Sequence, residues 1–207
     1  MLNKMKNQVQ EMLDTLQEAL DYLYSSNDND IIEVMGEFLD AIDEVCKDES
    51  PDFLKISSKF RDNIYNYKES NVKDDLSYYY NEMKECIEDI PRQYKVVFLP
   101  YYENTWDSLK SVYDAFKKDP QFITEIVIIP IYRNIPTGVT LVYEDYLTPK
   151  GIENTHHTKY SFEIDKPDIV FYNNPYDGVN LKKFQSHNVK KHVGCMVYVP
   201  YYLDSIP

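Results

Sequence analysis

Apolar residues recur every three or four positions through the first 92 residues, a spacing typical of amphipathic helices. Clusters of serine, asparagine and aspartate interrupt this pattern near residues 25–30 and 48–50, and Pro51 then stands where proline often opens a helix. Because the links are short, the helices are expected to pack antiparallel. Four helices are predicted, over Met5–Leu23, Ile31–Val45, about Pro51–Lys68 and about Val72–Ile90.

The period changes after residue 92, where short, continuous apolar runs replace the helical spacing. Such runs are typical of strands that are buried on both faces of a sheet. A helix is predicted over Trp106–Lys118 and a shorter one within Val179–Val189, while Val139–Tyr143 is either a short strand or an extended arm. The four predicted strands are Tyr94–Leu99, Glu125–Ile129, Asp168–Tyr172 and Cys195–Val199.

These patterns predict an α/β protein in two parts. An antiparallel helical module occupies residues 1–92, and an open, mainly parallel Rossmann-like sheet occupies residues 93–207. Charge divides the chain at the same place: the first part has 10 Lys and Arg against 22 Asp and Glu, net −12, and the second has 12 against 13. Nucleic acid is not an expected partner, because phosphate backbones are bound by Lys and Arg patches. The apolar faces of the helices are covered either by one another or by a protein partner, and an acidic surface would steer a basic one.

The three cysteines are widely spaced and form no C-x-x-C pair, so they are interpreted as buried, reduced thiols. No apolar run approaches the roughly 20 residues that a bilayer span needs, and the N-terminus lacks the apolar core of a signal peptide. The expected location is the cytoplasm.

Four apolar runs end in the same way, with a proline and at least one tyrosine. If the strands are parallel, these tips meet at the carboxyl edge of the sheet, where open α/β folds bind ligands. The alternative is that proline only ends the strands, in a chain that is rich in tyrosine. The predicted ligand-binding rim comprises Tyr101, Tyr102, Trp106, Tyr132, Asn173, Asn174, Tyr176, Asp177 and Tyr201.

The segment Asn173–Asp177 is the most specific of these tips. Its amides, phenol and carboxylate suit a polyol or a sugar-like group. Asn-Pro and Asp-Gly are also turn dipeptides, so the same residues predict a turn, and both interpretations can hold together. No nucleotide-loop, hydrolase or zinc-protease motif occurs, and His156-His157 is interpreted as an exposed pair on opposite sides of a loop. No cofactor and no metal are expected.

The tips belong to five longer stretches, Val96–Tyr101, Trp106–Val112, Val127–Ile131, Pro167–Asp177 and Val197–Tyr202. In this order they resemble the N-terminal region of bacterial proteins classed as CDP-glycerol glycerophosphotransferase-like, over about residues 94–203. Those proteins are similar to teichoic-acid-type glycerophosphotransferases and to GT-B glycosyltransferases. The resemblance implies two Rossmann-like domains facing a cleft, with acceptor contacts mainly from the first and the CDP donor bound mainly by the second.

The sequence departs from that family in two respects. It ends at Pro207, before the rest of the first domain and the donor domain, and it lacks the Trp-His-Gly-type segment of teichoic-acid relatives, so no catalytic residue is carried over. The expectation is the acceptor-side portion of such a transferase of cell-wall or surface-polymer synthesis, inactive without a C-terminal domain that binds CDP-glycerol. The full-length protein would lie in the cytoplasm or against the inner face of the membrane. The alternatives are a non-catalytic scaffold that binds a protein through its acidic helices, and a small-ligand sensor.

Overall fold

The computed structural model describes residues 1–26, 28–70, 74–101, 105–135, 138–143, 152–174 and 176–201, and among them residues 68–70, 74, 75, 131–135, 138–143 and 179 by their backbone alone. The chain folds as two compact units, Met1–Arg92 and Gln93–Pro207. The first is helical and the second is built on a parallel sheet, which confirms the predicted fold class.

Four helices make up the first unit: α1 Asn3–Ser26, α2 Ile31–Cys46, α3 Pro51–Ser70 and α4 Asp74–Asp89. Their apolar faces form one core, in which Leu16, Leu39, Phe60 and Met83 each contribute from a different helix and are at most 1% exposed. The helices therefore cover one another's apolar stripes. Of the two expectations from the sequence, coverage by one another or by a protein partner, the structure shows the first.

Polar groups fix the ends of these helices. The Ser50 hydroxyl accepts the backbone N–H of Phe53 at 3.2 Å, and Pro51 occupies the first helical position, so α3 begins where the sequence predicts. At the same end of the unit, the buried Lys6 ammonium donates to the carbonyls of Glu88 and Ile90 at 2.7 and 2.6 Å. Burial lowers the pKa of Lys6. Its two hydrogen bonds provide donors for carbonyls at the end of α4 that have no partner within the helix.

The second unit alternates strands with helices and short turns. Its elements are β1 Tyr94–Leu99, α5 Asp107–Lys118, β2 Phe122–Ile128, β3 Ile131–Ile135, β4 Gly138–Tyr143, β5 Thr155–His156, α6 Phe162–Asp165, β6 Ile169–Tyr172, α7 Ser186–Val189 and β7 Cys195–Tyr198. The first and the last two of the predicted strands are confirmed, and the second begins three residues earlier than predicted. Val139–Tyr143 falls within β4, which pairs antiparallel with β3 as a separate hairpin.

The parallel sheet has the order β5-β2-β1-β6-β7. The chain thus builds outward from β1 through β2 to β5, then returns to the other side of β1 for β6 and β7. This reversal between β1 and β6 is the switch point of a doubly wound sheet.

Both faces of the sheet are buried. Alternate residues of β1 point in opposite directions, so Phe98 packs towards α5 with Trp106 and Leu109, while Val97 packs with Phe184 and other residues of the opposite layer. Burial on both faces explains why these strands have continuous apolar runs rather than an alternating pattern.

Gly194 lets β7 approach β6 closely. A Cβ atom at this position would lie 2.8 Å from the carbonyl oxygen of Asp168, which is a backbone atom that cannot swing away. The next residue, Cys195, donates its N–H to that same carbonyl at 2.8 Å and starts the pairing of the two strands.

The prediction of buried thiols holds for Cys46, holds only in part for the half-buried Cys86, and is wrong for Cys195, which is exposed because it lies on the edge strand. Among the helices that the structure describes, none combines the length and the apolar sequence that a bilayer crossing requires.

Candidate functional site at the carboxyl edge of the sheet

Asn173 occupies the switch point itself, directly after β6. Its Oδ1 accepts the N–H of Tyr101 at 2.7 Å, and its Nδ2 lies within 3.1–3.2 Å of the Thr105 carbonyl, the Thr105 hydroxyl and the Ser108 hydroxyl. The side chain is completely buried. Asn173 therefore links the end of β6 to the residues that follow β1 by hydrogen bonds, and these bonds fix the backbone beneath the rim.

Three of the predicted rim tyrosines come together above this amide. The ring of Tyr101, after β1, lies 6.3 Å from that of Tyr176, after β6, and 6.0 Å from that of Tyr201, after β7, measured between centroids. Tyr101 is 7% exposed and Tyr176 is 52% exposed, so the cluster has a buried base and an open side. The prediction that tips from separate strands converge at one edge is confirmed for these three.

Beside the cluster, a cleft of about 240 Å³ opens at the ends of β6 and β7. The rings of Tyr172 and Tyr198 lie 5.3 Å apart in its wall, and Leu99 and Phe184 belong to the apolar layer beneath it. The described residues that line the cleft are Tyr172, Asn174, Asp177, Ser186 and Tyr198.

Asp177 is held in place by the start of α7. One carboxylate oxygen accepts the Ser186 N–H at 2.6 Å and the other accepts the Ser186 hydroxyl at 2.9 Å, while Nδ1 of His187 lies 3.9 Å from the second oxygen. These are the residue types of a hydrolase triad, but here the hydroxyl donates to the carboxylate and not to the imidazole. The arrangement orients Asp177 rather than activating Ser186 as a nucleophile.

No family model, no curated protein and no solved structure matches this chain. The chemistry of the cleft is therefore argued from its own side chains.

Tyr172 and Asp177 give the cleft opposite hydrogen-bonding roles. Burial, and then the proximity of Asp177 and Tyr198, raise the pKa of Tyr172 above the usual value for a tyrosine. Its phenol therefore stays protonated and can donate, whereas the Asp177 carboxylate, 41% exposed, has lone pairs that Ser186 does not occupy. A ligand with neighbouring hydroxyl groups can accept from one and donate to the other.

The remaining predicted residues lie elsewhere or are already engaged. Trp106 is 4% exposed and packs edge-on against Phe98 and Tyr113, so its position assigns it to the core below the rim. Tyr132 lies on strand β3, where the backbone alone is described, and Tyr102 lies outside the described residues.

The Asn174 amide makes two bonds within the chain. Its Oδ1 accepts the N–H of Tyr176 at 2.9 Å, and its Nδ2 donates to Asn180 at 2.7 Å. The first of these is the side-chain bond of an Asx turn, which confirms the turn interpretation of this tip. Its role in binding stays a prediction.

The interpretation of the histidine pair is wrong. His157 is buried at 6% exposure, and the two rings lie 4.2 Å apart instead of on opposite sides. The reason is that strand β5 ends at His156, where the chain enters a 3-10 turn that Thr158 and His156 close with a hydrogen bond. Within the described parts of the chain, no three His, Cys, Asp or Glu side chains come close enough together to hold a metal ion.

Three residues of the cleft were not among the predicted ones: Tyr172, Ser186 and Tyr198. Tyr172 and Tyr198 end the two neighbouring strands β6 and β7 and pair in register across them. A tyrosine at the last position of these two strands was therefore the sequence signal that could have identified Tyr172 and Tyr198. No sequence signal marked Ser186, since its place depends on the packing of α7.

Proposed function

We propose that the α/β unit binds hydroxyl groups of a polyol acceptor in the cleft at the carboxyl edge, as the acceptor-side part of a CDP-glycerol glycerophosphotransferase-like enzyme of surface-polymer synthesis. The observation that carries the proposal is the position of Tyr172, Asp177 and Tyr198 around one cleft, close to the switch point of a doubly wound sheet. Folds of this kind bind their ligands at that place.

The cleft suits a hydroxyl-bearing ligand better than a phosphate. Its described lining includes Asp177 and contains neither lysine nor arginine, the residues that phosphate recognition uses. An acceptor hydroxyl can donate to Asp177, and the Tyr172 phenol can donate to a neighbouring hydroxyl. In the complete reaction, the acceptor oxygen would form a bond to the β-phosphorus of CDP-glycerol while the bond to CMP breaks and the hydroxyl proton is released to a base.

Saturation-transfer NMR of the full chain with diglycerol, a neutral polyol that stands in for the acceptor, tests the proposal. Diglycerol is expected to bind, and CMP, which has no glycerol group, is not. Asp177→Asn keeps an oxygen that can accept from Ser186 but removes the charge, so it should weaken diglycerol binding by about tenfold, or about 1.4 kcal/mol. Tyr198→Phe should also weaken it without disturbing the fold.

Asp114→Asn is the matched control, because Asp114 is an aspartate of the same unit that pairs with Lys110 on α5, away from the cleft. It should leave the affinity unchanged. Equal binding of CMP and diglycerol, or an equal loss in Asp177→Asn and Asp114→Asn, would contradict the proposal.

The alternative of a protein-binding scaffold rests on charge alone. The apolar faces of α1–α4 are covered within the helical unit, so a partner would have to be recruited by the excess of 12 acidic over basic residues in that part of the chain. We expect any such binding to be salt-sensitive. A cationic peptide titrated into the full chain at low and moderate salt measures it, and no binding at low salt would exclude this alternative.

A further inference from the structure

A second cavity, of about 490 Å³, lies in the α/β unit away from the cleft. Its wall combines basic and apolar side chains, among them Phe162, Glu163, Lys182, Lys183, Lys191 and His192. They come from the segments between β5 and β6 and between β6 and β7, and none of them is among the described residues that line the carboxyl-edge cleft.

The charge of this cavity runs against that of the chain. The protein carries a net charge of −13. The described lining of this cavity nevertheless contains three lysines and one carboxylate, that of Glu163. The sequence shows the same bias, because residues 178–203 contain four lysines and two histidines but no aspartate or glutamate. A cationic concave surface on an acidic protein concentrates anions locally.

Lys183 braces the wall of the cavity. Its ammonium donates to the carbonyls of His157 and Tyr160, and thereby joins the turn after β5 to the turn that precedes α7. Burial lowers the pKa of Lys183. Its charge adds to the field of the cavity, while its hydrogen bonds serve the fold.

Lys191 is positioned to contact a ligand. Its Nζ donates to the Asn188 side-chain oxygen at 3.0 Å, and Asn188 in turn donates to the Lys182 carbonyl at 2.7 Å. An ammonium has three donors, and the bond to Asn188 uses one of them. Both Lys182 and Lys191 are exposed to solvent, so an anion can reach them.

The apolar part of the wall comes from Phe162, which is 5% exposed and packs edge-on against Phe184 at 5.6 Å. A cavity of this volume is in the range that small-molecule sites occupy and is much larger than inorganic phosphate needs. We propose that it binds a phosphate monoester with an apolar substituent, whose phosphate contacts Lys182 and Lys191 while the substituent packs against Phe162. This inference does not depend on the function of the carboxyl-edge cleft.

Calorimetry on the full chain with phenyl phosphate, inorganic phosphate and phenol tests the proposal. Phenyl phosphate should bind more tightly than inorganic phosphate, because only the ester can use the apolar wall, and phenol should give no measurable binding. Lys191→Gln and Lys182→Gln should each weaken phenyl phosphate binding at least fivefold.

Lys190→Gln is the matched control, since Lys190 is exposed next to Lys191 but does not line the cavity. Its affinity should equal that of the unmodified chain. An equal loss of phenyl phosphate affinity in Lys190→Gln and Lys191→Gln would overturn the proposal. So would a failure of both phenyl phosphate and inorganic phosphate to bind. Co-sedimentation with phosphatidic acid vesicles that depends on Lys191, without binding of phenyl phosphate, would overturn it in favour of a lipid headgroup.

Discussion

Asn173→Ala is expected to destabilise the α/β unit by about 3 kcal/mol, because each buried polar group that loses its partner costs on the order of 1–3 kcal/mol. The substitution leaves the Tyr101 N–H without its acceptor and removes the donor to Thr105 and Ser108, and the Asn173 side chain itself has no exposure to solvent. Urea unfolding followed by fluorescence measures this effect in the right unit, since Trp106 is the single tryptophan of the chain. The unfolding midpoint should fall by roughly 1.5 M.

Asn154→Ala is the control for this experiment. Asn154 is exposed, and its amide makes one long bond of 3.4 Å to a carbonyl two residues away, so its loss should change the stability by less than about 0.5 kcal/mol. If the two asparagine variants have the same midpoint, Asn173 does not hold the switch point together.

Phe98→Ala is expected to cost about 4 kcal/mol, the usual range for emptying a buried aromatic site. Phe98 is completely buried and lies opposite Phe171 in the register of β1 and β6, with the rings stacked at 5.0 Å. It also packs edge-on against Tyr113 at 5.4 Å. The alanine variant loses all of these contacts and leaves a cavity between the sheet and α5.

Phe98→Leu fills most of that cavity and should cost about 1.5 kcal/mol or less, as volume-conserving changes do. Urea unfolding of both variants gives the comparison, and the leucine variant keeps it informative if the alanine variant does not fold. Equal and small losses in the two would show that this layer of the core does not stabilise the sheet.

The sequence was most informative where burial determined it. Strands β1 and β6 lie at the centre of the sheet with both faces covered, so their apolar runs identified them and the residues at which they end. The helices of the first unit were predicted for the complementary reason, because one buried face imposes the helical spacing.

Two short elements of the second unit escaped prediction. Strand β5 has two residues, Thr155 and His156, at the edge of the sheet, and is recognisable only by its pairing with Val127 and Ile128 of β2. The hairpin partner β3 follows Pro130 directly, and nothing in its five residues separates it from an extension of the preceding strand.

The candidate site was predictable in its place and less so in its chemistry. Parallel strands force Tyr101, Tyr176 and Tyr201 to one edge, which the order of the motifs implies. The role of Asn173 was not predictable, because its partners Tyr101, Thr105 and Ser108 precede it by 65 to 72 residues. The sequence alone does not distinguish an asparagine that binds a ligand from one whose side chain hydrogen-bonds to a loop of the same chain.

The most direct test of the central claim, that the carboxyl-edge cleft binds a polyol ligand, is NMR of the full chain with ring-labelled tyrosine, titrated with diglycerol. Tyr→Phe variants assign the ring signals. The account predicts saturable shifts of Tyr172 and Tyr198 in the cleft, with Tyr113 unchanged because it lies in the core beside α5. Unchanged signals of Tyr172 and Tyr198, or shifts confined to Tyr160 at the basic cavity, would contradict it.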